Sequence, residues 1–521
     1  MLILEMIRSA AFASGERIAV HSNSGELSYQ ELWRKSDSLA VWLDRELKSD
    51  RTPVVVYGHK SPMMLVCFLA CVKSGRAYCP IDTSMADERT ADIIETVGNR
   101  LVLATEEMPE SIKAATAKFS IVTADEIETA AAAGEECEKN LWVRKGDVFY
   151  IIFTSGSSGK PKGVKISAGN LTSFVGWFVG VGDSRKAKSG GIFLNQAPFS
   201  FDLSVMDTYT CLATGGTLWC LDEKTRKDTK AMLKYLKDGR LNYWVSTPSF
   251  AELCLAEQDF DEKLMPDIRY FYFCGETLPA DTAGRLMERF PKAKVINTYG
   301  PTETTVAVTS VEITEAMVRS GRPLPIGRTK EGTRIFLREG ELVISGDTVS
   351  MGYYKDPMKT EKSFFMTDDY EWAYRTGDAG SFGSPDDGAC SSEAKAETAA
   401  KACGQNFDSE MLYYGGRIDG QVKLHGYRIE LGDIESNLLK LPGVSGAAVV
   451  AKREGGQVKS LAAFIKPKEQ NDGGFEERQK IRRQLKERLP EYMVPKKVVF
   501  VDDMPLTANG KIDRRRLEAQ I

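Results

Sequence analysis

Apolar and polar positions follow two rhythms along the first 300 residues. Short continuous apolar runs stand at 53–58 (PVVVYG), 101–105 (LVLAT), 148–153 (VFYIIF), 242–247 (NYWVST), 269–276 (RYFYFCGE) and 294–300 (KVINTYG). Runs of this length, rich in β-branched and aromatic residues, read as strands buried on both faces. Helical patterns follow several of them, as in SPMMLVCFLACVKSG, PSFAELCLAEQ and DTAGRLMERF. Strand and helix in alternation predict βαβ units, and hence mostly parallel sheets covered by helices.

After about residue 320 the rhythm changes. TRIFLREGELVISG predicts two hairpin strands around a turn at Glu339-Gly340. Beyond GRIDGQVKLHGYRIEL comes a compact α+β tail, with helices over ELGDIESNLLKL and EERQKIRRQLKERL and strands over GAAVVAK and SLAAFIK. Residues 384–410 keep neither rhythm. They are rich in Ala, Ser and acidic residues, and such a stretch reads as a solvated excursion. Within it, SSEAKAETAAKA allows a short helix started by Ser392.

The bulk composition narrows the classes of function. The chain has 521 residues, enough for roughly three to four domain-sized units. It is 42% hydrophobic and 27% charged, as a globular protein is. A net charge of -4 argues against nucleic acid as the main partner. The 10 cysteines are scattered without a CxxC pair, and only 3 histidines occur, so a zinc site of ordinary spacing is not expected. The thiols read as reduced and mostly buried. The N-terminal MLILEMIRSAAFASGE lacks a basic flank and carries Glu5, which predicts an amphipathic helix and not a signal peptide. PMMLVCFLACV is about half the roughly 20 residues that a membrane span needs. The expected location is cytoplasmic, with no membrane insertion.

The most informative stretch is FTSGSSGKPKGV, residues 153–164, directly after an apolar strand. Five on from Gly156 stands Pro161, so it is not a Walker loop, and it is not GxGxxG. It still has the makings of an anion cradle. Glycines at 156, 159 and 163 let backbone approach a ligand, the hydroxyls of Thr154, Ser155, Ser157 and Ser158 can donate, and Lys160 and Lys162 bring charge.

This loop resembles the phosphate loop of adenylate-forming enzymes: acyl-CoA synthetases, luciferases and peptide-synthetase adenylation domains. Further motifs of that superfamily follow in order: NTYGPTE (297–303), GELVISGDTVSMGYY (340–354), YRTGDAG (374–380), GRIDGQVKLHGYRIELGDIE (416–435) and NGKIDR (509–514). The resemblance covers essentially the whole chain. NQAPFSFDLSVMD (195–207), STPSFAELCL, FCGETLP (273–279) and NTYGPTETTVAVTSVEIT narrow it to the D-alanine–D-alanyl carrier protein ligases. The resemblance implies ATP-dependent activation of D-alanine, with Mg²⁺, and loading of a phosphopantetheinylated carrier protein for esterifying teichoic acids. It also implies a large N-terminal domain (1–418) with a β-rich subdomain, and a small mobile C-terminal domain (419–521).

Site roles carried by the resemblance are as follows. Lys511 bridges the substrate carboxylate and the α-phosphate, and is the expected catalytic residue. Thr154 and Ser155 face phosphate. Asn297, Thr298, Tyr299, Gly300, Pro301 and Thr302 wrap adenine and α-phosphate, with Tyr299 as a stacking face. Asp378 accepts from the ribose hydroxyls, beside Tyr414, Gly415, Gly416 and Arg417. Glu303 is the expected Mg²⁺ ligand, since Mg²⁺ takes one or two carboxylates plus phosphate oxygens and waters. Asp202 sits in an apolar stretch, where an aspartate needs a cation partner, and the family supplies the substrate ammonium. Cys274 and Val306 flank the substrate methyl. Asp419 is the hinge about which the C-terminal domain swings, between flexible glycines at 415, 416 and 420.

Two departures stand out. Ser158 replaces a common Thr, and the 384–410 excursion enters where the family has a short hairpin. The alternative reading is an adenylation enzyme for glycine or L-alanine serving a peptide-synthetase carrier. An acyl-CoA synthetase is disfavoured by Asp202, and a non-catalytic nucleotide-binding regulator by intact Lys511, Glu303 and Asp378.

Overall fold

The computed structural model describes residues 1–155, 161–182, 190–383, 410–418, 420–454, 457–468, 474–505 and 512–521. The excursion at 384–409, the loop at 156–160, Asp419 and Lys511 lie outside the described residues.

The apolar runs form the centres of two large sheets. One has six strands, ordered Ser120–Val122, Leu101–Ala104, Val54–Tyr57, Tyr78–Ile81, Val148–Thr154, Lys162–Ser167. The first five are parallel, and the last returns antiparallel so that Thr154 pairs with Lys162. Thr154 therefore stands at the carboxyl end of the last parallel strand, where open α/β sheets bind ligands. The other sheet has nine strands. Its parallel core runs Lys294–Tyr299, Tyr270–Phe273, Tyr243–Ser246, Ile192–Asn195, Thr217–Cys220, Ile18–Ser22. The loops Pro198–Asp202, Cys274–Glu276 and Gly300–Val306 leave from carboxyl ends on this sheet.

Helix Pro62–Lys73 explains the most apolar segment of the chain. Every one of its residues is buried, and it contacts strands of both sheets. A helix apolar all round belongs in a core. Its last residue, Lys73, is fully buried. The ammonium donates to Trp33 O (3.0 Å), Ser36 Oγ (2.8 Å) and Asp37 Oδ1 (3.0 Å), and lies 3.3 Å from the Trp33 ring centre. Burial pulls it down to about 8, against the pull of Asp37.

The β-rich part is a five-stranded sheet. Thr333–Arg338 and Glu341–Gly346 pair through the predicted Glu339-Gly340 turn, whose φ values of 54° and 80° are those a tight two-residue hairpin requires. The strand Trp372–Gly383 pairs with Met411–Arg417, and this register sets Asp378 opposite Arg417. Residues from 422 onward have cores of their own, whereas the cores of the rest draw on residues up to 414. The tail has a three-stranded sheet (Val444–Glu454, Gln457–Pro467, Lys497–Phe500) with helices Leu431–Leu439 and Phe475–Lys486, as the sequence predicts.

A hairpin, Gln421–Leu424 with Tyr427–Glu430, projects from this tail onto the large sheets. Its turn amide, Gly426 N, donates to Glu276 Oε1 (2.8 Å), and Arg89 pairs with Asp433 (3.3 Å). Among the described residues, no helix is long and apolar enough to cross a membrane.

Replacing Lys73 by Ala would leave Asp37 buried without its cation. Breaking one half of such a pair costs about 3–5 kcal/mol. A urea titration followed by tryptophan fluorescence should show the early transition moved to lower urea. Adding Asp37→Leu to a Lys73→Met chain should recover most of the loss. Unchanged unfolding of the single variant would refute the assignment.

Candidate active site

A cleft opens where the strand ends of both sheets, the β-rich sheet and the tail hairpin meet. Thr154, Asp202, Thr302, Asp378, Arg417 and Arg428 all line it.

Asp378 is almost fully buried. Arg417 Nη1 donates to its Oδ1 (3.0 Å), and the Tyr299 hydroxyl donates to its Oδ2 (2.6 Å). Tyr414 also bonds to it. Burial first, then Asp378, push the Tyr299 phenol far up. Arg417 is braced in turn by Thr376 O at 2.7 Å. Gly416 stands at φ 102° beside it, and a Cβ at Gly415 would lie 3.3 Å from Ala379. The result is a firmly held carboxylate at the cleft wall, with acceptor capacity beyond these three bonds.

The loop Gly300–Val306 follows strand Lys294–Tyr299. Asn297 and Thr298 do not line the cleft. Asn297 Nδ2 donates to Pro325 O (2.8 Å), and Thr298 Oγ1 donates to Phe273 O (2.8 Å). They tie the strand to its neighbours, and Gly300, Pro301 and Thr302 face the cleft. A Cβ at Gly300 would come within 2.6 Å of Ala307 Cα. Thr305 and Val306 sit at φ 62° and 68°, a conformation that β-branched residues rarely take. Thr305 Oγ1 donates to Thr348 O (2.7 Å), and Ala307 N to Thr305 O (2.8 Å), which hold the turn. The Cys274 thiol donates to Val306 O (3.6 Å). Burial pushes that thiol up, so it is protonated at neutral pH and no nucleophile.

Asp202 precedes helix Leu203–Thr214 and makes no capping bond. Burial pushes its carboxyl up to about 6, a Thr302 hydrogen bond opposes this, Glu303 adds to it, and Lys423 and Arg428 oppose it. Among the described residues, none forms an ion pair with it. The loop that carries it is clamped by Lys60, whose ammonium donates to Asn195 Oδ1 and Ala197 O and lies 4.5 Å from the Phe199 ring centre.

Glu303 has no exposure. Arg428 Nη1 reaches its Oε2 at 2.6 Å, while the Tyr353 hydroxyl (2.9 Å) and Lys162 Nζ (3.5 Å) reach its Oε1. Burial pushes the carboxyl up, but Arg428 and then Lys162 more than reverse this, and it lies far below the usual carboxylate range. Thr154 Oγ1 is buried and has no hydrogen-bond partner among the described residues. Ser155 Oγ instead donates to Arg428 O (2.7 Å) and accepts from Glu430 N (3.3 Å).

Sequence reasoning missed the contribution of the tail hairpin to the cleft: Lys423, Tyr427 and Arg428. Tyr427 packs edge-on to Phe201 (4.7 Å) and stacks on Tyr492 (3.6 Å). The alternation QVKL–HG–YRIE, with glycine at the turn, was the available signal.

The profile of the AMP-binding enzyme family matches residues 7–354, and that of the AMP-binding enzyme C-terminal domain matches 433–511. The chain is 40% identical to the D-alanine–D-alanyl carrier protein ligase of Bacillus licheniformis and 39% identical to that of Bacillus cereus, each over 100% of both chains. In fold it is similar to the Vibrio cholerae adenylation domain AlmE in complex with glycyl-adenosine-5'-phosphate (23% identity, TM-score 0.77, 99% and 97% covered). It is also similar to o-succinylbenzoate CoA synthetase from Bacillus subtilis (19% identity, TM-score 0.80, 99% and 98% covered). Full-length identity at this level, with a cleft assembled from the motifs that define the superfamily, places the chain in the D-alanine–D-alanyl carrier protein ligase family of AMP-binding enzymes.

Proposed function

We propose that the chain activates D-alanine with ATP as D-alanyl-adenylate. It then transfers the D-alanyl group to the phosphopantetheine thiol of a D-alanyl carrier protein, for D-alanylation of (lipo)teichoic acid. The observation that carries this reading is the Asp202 carboxylate, which has no ion-pair partner among the described residues. It lines the same cleft as the clamped Asp378. A small zwitterion supplies the missing ammonium, and a fatty acid would leave the carboxylate unpaired. The names of the full-length relatives supply the D configuration and the carrier.

In the first half-reaction a carboxylate oxygen of D-alanine bonds to the α-phosphorus of ATP, and the bond to pyrophosphate breaks. Asp378 takes the ribose hydroxyls, held in place by Tyr299 and Arg417. Thr154 and the backbone of Gly300–Thr302 meet the phosphates. Lys511 steadies the charge that builds between carboxylate and phosphate. In the second half-reaction the carrier thiol gives up its proton, sulfur bonds to the carbonyl carbon, and AMP leaves with the electron pair of the broken anhydride bond. The domain boundary lies at 418/419, with Asp419 as hinge, and the enzyme works in the cytoplasm.

Glu303 has the donor chemistry that Mg²⁺ prefers. With the hairpin docked, Arg428, Tyr353 and Lys162 occupy both its oxygens. The residues therefore do not fit the ion in this arrangement.

Amino-acid-dependent pyrophosphate exchange with D-alanine, L-alanine and glycine in parallel tests the reading. D-Alanine should be strongly preferred; equal or better exchange with L-alanine or glycine would overturn it. Lys511→Ala should cut exchange about 100- to 1000-fold, since a charged donor on a developing oxyanion is worth ~3–4 kcal/mol. ATP binding, read by calorimetry, should persist.

Asp202 gives a pH prediction. Its carboxylate must be ionised to hold an ammonium, and its proton leaves near pH 6. KM for D-alanine should therefore be flat above that pH and rise about tenfold per unit below it. KM for ATP should not follow. Asp202→Asn should raise KM for D-alanine and abolish the acid limb; an acid limb that survives the substitution would show that another group is responsible.

A further inference from the structure

Lys60 is a buried cation with no part in the chemistry above. The local sequence puts it there. Strand Val54–Tyr57 runs into Gly58, where a Cβ would collide with the Thr105 hydroxyl. Ser61 then accepts from Met63 N (3.3 Å) and starts helix Pro62–Lys73. Caught between strand end and helix start, Lys60 reaches from the six-stranded sheet to the carboxyl end of a strand in the nine-stranded one. Its ammonium donates to the Asn195 side-chain oxygen and to Ala197 O, with the Phe199 ring centre 4.5 Å away.

Asn195 carries the contact further. It has no exposure, and its Nδ2 donates to Asp207 Oδ1 (2.7 Å) on helix Leu203–Thr214. The amide therefore has one orientation, oxygen to the ammonium and nitrogen to the carboxylate. Thr208 Oγ1 also donates to Oδ1 (3.2 Å), while Asp207 Oδ2 has no hydrogen-bond partner among the described residues. Burial pushes the Asp207 carboxyl up, and Lys60 pulls it back. Lys60 thus holds the chain at Ala197 directly and at Asp207 through Asn195. Asp202 lies between these two points. Pro198, Ser200, Phe201 and Asp202 line the cleft, and Phe199 turns back onto Lys60. Between the two points the backbone closes on itself: Phe201 N donates to Pro198 O (2.9 Å) and Val205 N to Asp202 O (2.9 Å).

We propose that Lys60, acting through Asn195 and Asp207, is a positioning residue for the amino-acid substrate: it fixes where the Asp202 carboxylate stands in the cleft. None of the three lines the cleft itself. A buried cation and a buried carboxylate joined by one amide tolerate a single geometry, because each loses its partner if the amide turns. A binding group misplaced by about 1 Å loses much of its effect. The nucleotide side of the cleft stands on other elements, Asp378 and Arg417 on the β-rich sheet and Gly300–Thr302 after strand Lys294–Tyr299. Loss of the Lys60 ammonium therefore falls on the amino acid and spares the nucleotide. This rests on the adenylation reading above, and it adds three residues behind the amino-acid site.

Hydrogen–deuterium exchange on the full chain reads the loop without any substrate. In Lys60→Met, which keeps the stem beside Phe199, the peptide spanning 198–207 should exchange about tenfold faster, and the peptide spanning 294–299 should not change. In pyrophosphate exchange the same variant should raise KM for D-alanine about tenfold and leave KM for ATP unchanged. Lys60→Met/Asp207→Asn removes both buried charges, so its urea midpoint should return towards that of the unsubstituted chain. Its 198–207 peptide should still exchange fast and its KM for D-alanine should stay raised, and it supplies both readouts if the single variant does not fold. Three results would each overturn the proposal: a 198–207 peptide that Lys60→Met leaves unchanged, KM values for ATP and D-alanine that rise together, or a double variant that regains a normal KM along with its stability. Failure of the unsubstituted chain to exchange pyrophosphate with D-alanine would instead sink the adenylation reading, and the 198–207 peptide would still report on Lys60.

Discussion

A carboxylate with no access to water must have a cation beside it, and Glu303 is in that position at the centre of this molecule. The constraint reaches in three directions. It requires Lys162, at the far end of the phosphate loop, to turn inward. It requires Tyr353, from the motif that follows the β-rich hairpin, to point its hydroxyl at the same group. With the C-terminal domain docked, it requires an arginine from the tail. Loop, β-rich part and tail are thus registered on one oxygen pair. A neutral residue there would remove the common reference and leave Lys162, Tyr353 and Arg428 without their shared carboxylate.

The folding pattern makes this convergence possible at modest sequence cost. Parallel strands end at one edge, so loops separated by more than a hundred residues open into one cleft. The strand that ends at Thr154 and the strand that ends at Tyr299 belong to different sheets. Helix Pro62–Lys73 and the shared core fix one sheet against the other. Strain at Thr305 and Val306 persists on that rigid base, since the surrounding hydrogen bonds over-determine the turn.

How much of this was legible depended on the range of the interaction. VFYIIF was legible as Val148–Thr154 because a strand buried on both faces must be continuously apolar. Glu339-Gly340 was legible because few residues tolerate two positive φ values in succession. Asp378 and Arg417 were grouped through family resemblance; the cause is a strand register closed across the 384–409 connection, which no local pattern encodes. Asn297 and Thr298 lie in a ligand-binding motif, yet their side chains tie strands together. Arg428 was invisible because its partner Glu303 lies 125 residues away, and no local pattern pairs them. Lys511 and Asp419, expected as catalytic residue and hinge, lie outside the described residues.

The two acidic side chains at the cleft floor show what the site is built to leave unfinished. Glu303 is oversupplied, with two cations and a hydroxyl, and is held far below the ordinary range. Asp202 is undersupplied: burial first, with Glu303 adding to it, raises it to about 6. Carboxyl groups driven apart by their surroundings have different tasks. The same hairpin moderates both, since Arg428 lowers Glu303 directly, and Lys423 and Arg428 lower Asp202 from a distance. The tail hairpin therefore adds the charges of Lys423 and Arg428 to a cleft that Arg89 and Arg417 also line. Among the described residues Asp202 is left without an ion-pair partner, and on the proposed reading the substrate ammonium supplies it.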